Sequence, residues 1–328
     1  MNSIIVPVYG NQESIPDLLG ALRALRARLS GALEVVFVDD GSHDGSMQLL
    51  ARELADQPFA SKLVAHSRNF GAFAAIRTGL AEATGPHYAI MSADLQEPTS
   101  LVEEFLRILQ RDEADIALWQ RDGRDDPLMS SLASRLFWLV YRAFIQPEVP
   151  RGGVDVFGCN QRCRDQLIAL HESNTSLVGL VLWLGFRRCV VSYRRQERKH
   201  GRSSWSLRKK VKYMVDSLYG FSDLPIRLLT GVGAICVLVA LVFGAVVLVQ
   251  RLRGAITVPG YTIQVLMIMF FGGLNALGLG IVGGYVFRAH ENTKQRPDAI
   301  VMSRLEFAGR SSQSRAAGQT VPSRTEIA

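Results

Sequence analysis

The chain has 328 residues, 48% apolar and 20% charged, which is enough for a sizeable core and excludes a disordered polypeptide. Its 29 glycines and 12 prolines follow no repeat period, and Cys159, Cys163, Cys189 and Cys236 form no C-x-x-C pair, so neither a zinc ribbon nor a disulfide scaffold is indicated. The net charge of +7 points to an anionic partner, and a mean hydropathy of +0.13 is high for a soluble enzyme.

The chain opens on a strand, Ser3–Tyr9, without the basic n-region or cleavage site of a signal peptide, so the N-terminal region is expected in the cytosol. Strands are predicted at Ile4–Tyr9, Leu33–Val38, Lys62–His66, His87–Met91 and Ala114–Trp119. Helices are predicted at Ser14–Leu29, Ser46–Asp56, Ala72–Ala83 and Thr99–Arg111. This alternation argues an α/β domain with a mostly parallel sheet, whose ligands bind at the carboxyl ends of the strands. Polar clusters fall at those ends: Tyr9-Gly10-Asn11, Asp39-Asp40-Gly41-Ser42, Ser67-Arg68-Asn69 and Ser92-Ala93-Asp94. A charged loop at 121–128, a helix at Met129–Ile145, a Pro- and Gly-rich loop at Gln146–Val154, two further helices and a last strand at Arg187–Arg194 complete the head.

Residues 194–212 carry nine Lys or Arg against one acid, Glu197. Leu207, Val211, Met214, Val215 and Leu218 then recur at helical spacing. An amphipathic helix in the headgroup plane is expected at 206–222. Leu228–Val249 and Ile263–Val286 are uncharged runs of 22 and 24 residues. At about 1.5 Å per residue each matches or exceeds a hydrocarbon core of roughly 30 Å. Two transmembrane helices are therefore expected within 223–290. The basic residues flanking them put head and tail in the cytosol and the 250–262 loop outside. Gly272, Ala276, Gly280 and Gly284 stand four apart, which permits close helix contact within the hairpin or between subunits of a homo-oligomer. Beyond Pro297 the Ser-, Arg- and Gln-rich tail, 297–328, is read as disordered.

Several residues are candidates for chemistry. Asp39 and Asp40 end an apolar strand, where a carboxylate accepts from a ribose hydroxyl or a base N–H; helix capping is the structural alternative. Asp94 and Gln96, two apart after another strand, are placed on one side by alternation. Their hard oxygens suit Mg²⁺ or Mn²⁺ shared with a diphosphate. Arg121, Arg124, Arg198, Lys199 and Ser203 are phosphate-binding candidates. No dinucleotide fingerprint, P-loop, HExxH or Gly-x-Ser-x-Gly pattern occurs. Nucleic acid is not an expected partner, because the basic run adjoins a span and lacks interleaved aromatics.

Taken together, Pro7-Val8-Tyr9, Val38-Asp39-Asp40-Gly41-Ser42, Arg68-Asn69-Phe70-Gly71 and Ala93-Asp94-Leu95-Gln96 resemble glycosyltransferase family 2, whose fold is called GT-A. Arg198-Lys199-His200-Gly201-Arg202-Ser203, Phe221-Ser222-Asp223-Leu224-Pro225-Ile226-Arg227 and Gly284-Tyr285-Val286-Phe287-Arg288 narrow the resemblance to the polyprenyl-phosphate glycosyltransferases. The resemblance implies a GT-A nucleotide-sugar-binding domain at 1–205, then the juxtamembrane helix and the hairpin. It also implies inverting transfer of one sugar from a nucleotide sugar, UDP-linked by resemblance, to a polyprenyl phosphate at the cytosolic face. By position, Pro7, Tyr9, Asp39, Asp40, Arg68 and Asn69 would form the nucleotide site. Asp94 and Gln96 would hold the metal; Arg121, Arg124, Arg198 and Ser203 would serve the reacting phosphates. Ser92 stands where the family's Asp-x-Asp has its first Asp, and Gly10-Asn11 where it often has Asn-Glu. These departures motivate the alternative of a non-catalytic nucleotide-sugar-binding membrane scaffold.

Overall fold

The computed structural model describes residues 1–121, 142, 149, 154–172, 175–193, 214–219, 221–222, 224–253 and 260–309. Its centre is one eight-stranded sheet: β1 (Asn2–Val8), β2 (Leu33–Asp39), β3 (Ala60–His66), β4 (His87–Ile90), β5 (Ile116–Arg121), β6 (Val154–Asn160), β7 (Arg188–Tyr193) and β8 (Val301–Phe307), in the order β7-β5-β6-β4-β1-β2-β3-β8. β1 pairs in parallel with β2 and β4, β2 with β3, and β5 with β7. β6 and β8 run antiparallel to their neighbours.

β2 is buried along its whole length and β1 at all positions but Pro7, as expected of strands covered on both faces. The covering helices are α1 (Ile15–Arg28), α2 (Ser46–Glu53), α3 (Ala72–Glu82) and α4 (Thr99–Gln110). α1 begins with Pro16 in its first turn, where a missing N–H costs nothing, and buries Leu18, Leu22 and Leu25 on one stripe. α4 buries Val102, Phe105, Leu106 and Leu109, and Phe105 lies against Trp119 of β5 with ring centroids 4.4 Å apart. α3 comes close enough to β1 that a methyl on Gly79 would stand 2.3 Å from Ile5 Cγ2. These elements match the sequence expectations within about two residues at each end.

Two expectations are corrected. No strand was expected between the 146–154 loop and the helices after it, yet Val154–Asn160 is the antiparallel strand β6 between β4 and β5. Its helix starts only at α5 (Gln161–Ala169), where the Asn160 side chain accepts from Cys163 N at 3.0 Å; α6 (Leu177–Trp183) follows. The tail expected to be disordered contains β8, which pairs with β3 from Ser61↔Phe307 to His66↔Val301. Its own residues, Val301-Met302-Ser303-Arg304-Leu305-Glu306-Phe307, include four apolar ones, and Val301 and Phe307 pack on the core; the polar composition of the tail as a whole masked this short run. Two ion pairs, Arg304–Glu82 at 2.7 Å and Arg77–Asp298 at 2.9 Å, fasten it further. In the helical stretch 214–219, Leu218 packs against the head's core, while Val215 stays 39% exposed. Residues 206–213, and the helix expected at Met129–Ile145 apart from Arg142, lie outside the described residues.

α7 (Leu224–Leu252) and α8 (Tyr261–Thr293) leave the head. Among the described residues one segment, Phe270–Thr293, is long and apolar enough to cross a membrane, and none of it is buried; Leu224–Cys236 is a shorter apolar stretch. Ile235, Leu238, Ile268, Leu277 and Leu279 are each at least 60% exposed, an apolar surface that water does not favour. The four cysteines are free thiols.

At the amino end of the sheet, away from the polar clusters, Glu34 is buried and accepts from Ser3 Oγ (2.6 Å), Thr84 N (2.8 Å) and Thr84 Oγ1 (3.0 Å), with Lys62 Nζ at 3.4 Å. Burial pushes its carboxyl upward, but these hydrogen bonds and the Lys62 charge outweigh it and hold it below its ordinary value of 4.5. A depressed folded value stabilises the fold fully above the unfolded value, and that contribution disappears as pH falls through the folded one. Glu34→Gln should therefore lower the thermal midpoint at pH 7, and the gap to wild type should narrow as pH falls below the ordinary carboxyl value of 4.5. A gap independent of pH would contradict this.

Candidate active site

β4, β1, β2 and β3 run in parallel and end on one edge of the sheet. The chain moves from β1 outward to β2 and β3, then returns to the other side of β1 for β4, so a crevice opens between the ends of β1 and β4. The β1–β4 ladder stops at Ile5↔Ile90. Pro7, which has no N–H to donate, lies beyond that last pair.

Tyr9 follows β1 and is 43% exposed, an aromatic face held at the crevice mouth. Its loop is sewn to the loop after β2. Gly10 N donates to Ser42 Oγ (3.1 Å), Asn11 N to Ser46 Oγ (3.0 Å), Gln12 N to Asp44 Oδ2 (3.1 Å), and Gly45 N to Gln12 Oε1 (2.9 Å).

Asp39 and Asp40 are both buried but differ in what they face. Asp39 Oδ2 accepts from Ser42 N at 3.2 Å, while its Oδ1 is buried and has no partner. An orphaned carboxylate oxygen is costly unless something arrives to donate to it. Asp40 is fully engaged: Oδ1 accepts from Phe70 N (2.9 Å) and meets His66 Nδ1 (2.9 Å), and Oδ2 accepts from Gly71 N (2.8 Å). His66 is anchored in turn on Thr78 Oγ1 at 2.9 Å. Asp40 thus shapes the 68–71 loop from inside, whereas Asp39 has an oxygen to offer.

The same loop crosses Gly41 at close quarters. Gly41 has φ +70°, and a methyl there would stand 2.6 Å from the Arg68 carbonyl carbon and 2.8 Å from Asn69 N. Arg68 and Asn69 are exposed on top, with the Arg68 guanidinium 4.0 Å above the Phe70 ring. Gly41→Ala is expected to displace this loop, costing about 1–3 kcal/mol of stability. Thermal unfolding checks this; an unchanged midpoint would contradict it.

Asp94 and Gln96 come together by a different route from simple alternation. Residues 92–95 form a turn, Leu95 N to Ser92 O at 3.4 Å, and Leu95 takes a left-handed φ of +56°. Gln96 N then donates to Asp94 Oδ1 at 3.3 Å. The buried Glu97 receives Ser92 N at 3.4 Å and braces the turn from below. Both Asp94 and Gln96 remain half-buried beside the crevice. Among the described residues no group of three or more His, Cys, Asp or Glu is gathered as for an all-protein metal site. One carboxylate and one amide oxygen fit a hard divalent ion only if a diphosphate completes its shell.

Arg121 ends β5, which is parallel to β4 and two strands away across β6, so its backbone reaches the same sheet edge about 10 Å to the side. Arg124, Arg198 and Ser203 lie outside the described residues. The orphaned Asp39 oxygen, the close passage over Gly41 and the His66–Thr78 anchor were not visible in sequence; the histidine closing an apolar strand was the one available signal.

The model of glycosyl transferase family 2 matches residues 3–167. The Bacillus subtilis protein CsbB, named as a glycosyltransferase, is 31% identical over 299 residues, covering 91% of this chain and 90% of that protein. A bactoprenol glucosyl transferase of Shigella phage SfX is 27% identical over 303 residues, 92% of this chain and 99% of that one. A prophage bactoprenol glucosyl transferase homolog of Escherichia coli K12 is 27% identical over 300 residues, 91% and 97% of the two chains. Among solved structures, residues 1–349 of Staphylococcus aureus TarS with UDP-GlcNAc align at a TM-score of 0.43 and 16% identity, covering 61% of this chain and 60% of that one. The chain belongs to glycosyl transferase family 2.

Proposed function

We propose that this glycosyltransferase moves a single sugar from a nucleoside-diphosphate sugar, UDP-linked, to a polyprenyl phosphate at the cytosolic face of the membrane, with inversion at the anomeric carbon. The observation that carries this reading is the crevice itself. An orphaned Asp39 oxygen and an exposed Tyr9 ring stand on one side of the β1/β4 switch point and Asp94 on the other, in a chain that also bears a long, unburied apolar helix. The length-wide similarity to bactoprenol glucosyl transferases supports the lipid acceptor.

In this reading Tyr9 stacks on the base, Asp39 Oδ1 accepts from a base N–H or ribose hydroxyl, and Asp40 keeps the Arg68–Asn69 loop in place over the nucleotide. Asp94 and Gln96 hold Mg²⁺ or Mn²⁺, which when bound offsets charge on the diphosphate. The acceptor phosphate is already anionic near neutral pH and needs little help from a base. Its oxygen bonds to the anomeric carbon as the bond from that carbon to the diphosphate breaks, and the electron pair leaves with the nucleoside diphosphate. What remains for the protein is alignment and charge stabilisation, the work proposed for Arg121, Arg124, Arg198 and Ser203.

The placement of β8 supports a hairpin of two spans. The chain leaves the head before α7 and rejoins the head's own sheet after α8, and a chain that returns to its starting side crosses an even number of times. Head and tail then share the cytosolic side.

Incubation of the purified protein in detergent with undecaprenyl phosphate, Mg²⁺ or Mn²⁺, and labelled UDP-, GDP- and dTDP-sugars tests the reading. Label should enter the lipid fraction with one donor and fail to do so in EDTA. Nucleotide binding without lipid label from any donor would favour the scaffold, the reading that Ser92 motivates.

A further inference from the structure

Two of the sequence motifs have no part in the crevice: the run around Phe221–Arg227 and the run Gly284–Arg288. The end of one and the start of the other, Arg227 and Gly284, stand 57 positions apart, and the two regions meet in the structure. Arg288 Nη2 donates to Asp216 Oδ1 at 2.7 Å, with side chains 19% and 15% exposed. The same guanidinium sits 4.8 Å above the Tyr219 ring, whose centroid is 4.8 Å from that of Tyr285. The Tyr285 hydroxyl donates to the Ser222 carbonyl at 3.4 Å. Gly284 leaves room for this stack, since a methyl there would press on the Tyr219 hydroxyl at 3.1 Å. On its other face the same segment grips the head. Leu218 and Phe221 pack on the head's core, and Gly179 of α6 admits the Phe221 ring so closely that a methyl would stand 2.3 Å from it.

We infer that residues 216–219, 221 and 222 form a bracket, fixed to the head by Leu218 and Phe221 and to the end of α8 by the Asp216–Arg288 pair and the Tyr219–Tyr285 stack. The bracket holds the crevice at one height and angle above the bilayer. This inference rests on the proposed transfer to a lipid acceptor, because only such an acceptor reaches the crevice from the membrane side. A water-soluble donor arrives from the other side and does not sense the bracket. A largely buried charge pair suits this role. The guanidinium has a charged partner and a stacking plane, so it fixes direction as well as distance, and removing one partner strands the other. Asp216, Tyr219, Tyr285 and Arg288 are positioning residues, since none of them lies at the crevice.

The test uses the full-length protein in lipid nanodiscs. Arg288→Ala is expected to lower kcat/KM for undecaprenyl phosphate about tenfold, by misplacement of the acceptor, and to leave the UDP dissociation constant unchanged. The double exchange D216R/R288D should recover most of the loss. Spin labels on cysteines replacing Arg107 of α4 and Leu279 of α8, in a background lacking the native cysteines, report the head-to-span distance directly. The distribution should be narrow in the otherwise unaltered protein and broad in Arg288→Ala. An equally narrow distribution in the variant, or a broad one with unchanged transfer, would overturn the bracket. Retained UDP binding shows that the variant has folded. Should the unaltered protein glycosylate no lipid at all, the proposed function fails, while the distance measurement still decides whether the bracket exists.

Discussion

Replacing Asp94 by alanine is expected to reduce transfer by about 10²–10³-fold with little effect on folding. The residue sits on a turn beside the crevice and is half-buried, so its removal opens no cavity in the sheet. Its charge is the one carboxylate at this turn that faces the crevice, because Glu97 is buried below and Ser92 brings no charge. Asp94→Asn sharpens the point. The amide oxygen still accepts from Gln96 N and preserves the turn, but the negative charge is gone. Both variants should unfold at the wild-type temperature and bind UDP without metal as wild type does, yet fail to transfer. Near-normal turnover in Asp94→Asn would remove Asp94 from the ion site.

Asp40→Ala is expected to act on the fold and the donor site together. The variant strands the N–H groups of the half-buried Phe70 and Gly71 and the ring nitrogen of the buried His66. Each unsatisfied group costs about 1–3 kcal/mol, so a loss of about 3 kcal/mol or more is expected. The loop they belong to carries Arg68 and Asn69, so the UDP dissociation constant should also rise, by about tenfold or more. Asp39→Asn offers the contrast. It should leave stability almost unchanged or improve it, since a buried carboxylate with one oxygen unpartnered is replaced by a neutral amide, while weakening UDP binding. Thermal unfolding and nucleotide titration of the pair separate the two roles; equal behaviour of both aspartates would contradict the assignment.

Much of the head was legible in the sequence because its signals are local. β1 and β2 are continuous apolar runs, α1 and α4 carry apolar stripes, and the polar clusters mark where strands end. The parallel topology followed from the alternation, and the position of the site followed from the topology. What stayed hidden depends on contacts between distant segments. β8 is a seven-residue run, four of them apolar, inside a tail that is polar as a whole, and it pairs with the otherwise open edge of β3. The difference between Asp39 and Asp40 arises from the 66–71 loop, about thirty residues on, which takes both oxygens of one carboxylate and leaves its neighbour an oxygen to spare. The bracket joins residues 72 apart in sequence, Asp216 and Arg288. Motif resemblance marked Gly284–Arg288 and the residues from Phe221 on, but neither Asp216 nor Tyr219, nor that the two regions touch.

The most direct measurement is the stoichiometry of the reaction in liposomes that contain undecaprenyl phosphate and the full-length protein. UDP release is followed in the aqueous phase and the lipid is weighed by mass spectrometry. The account predicts one UDP released for each lipid that gains the mass of a single sugar, with no heavier products and no release in liposomes lacking the lipid phosphate. UDP released with free sugar, with a growing glycan, or at the same rate without the lipid phosphate would contradict it.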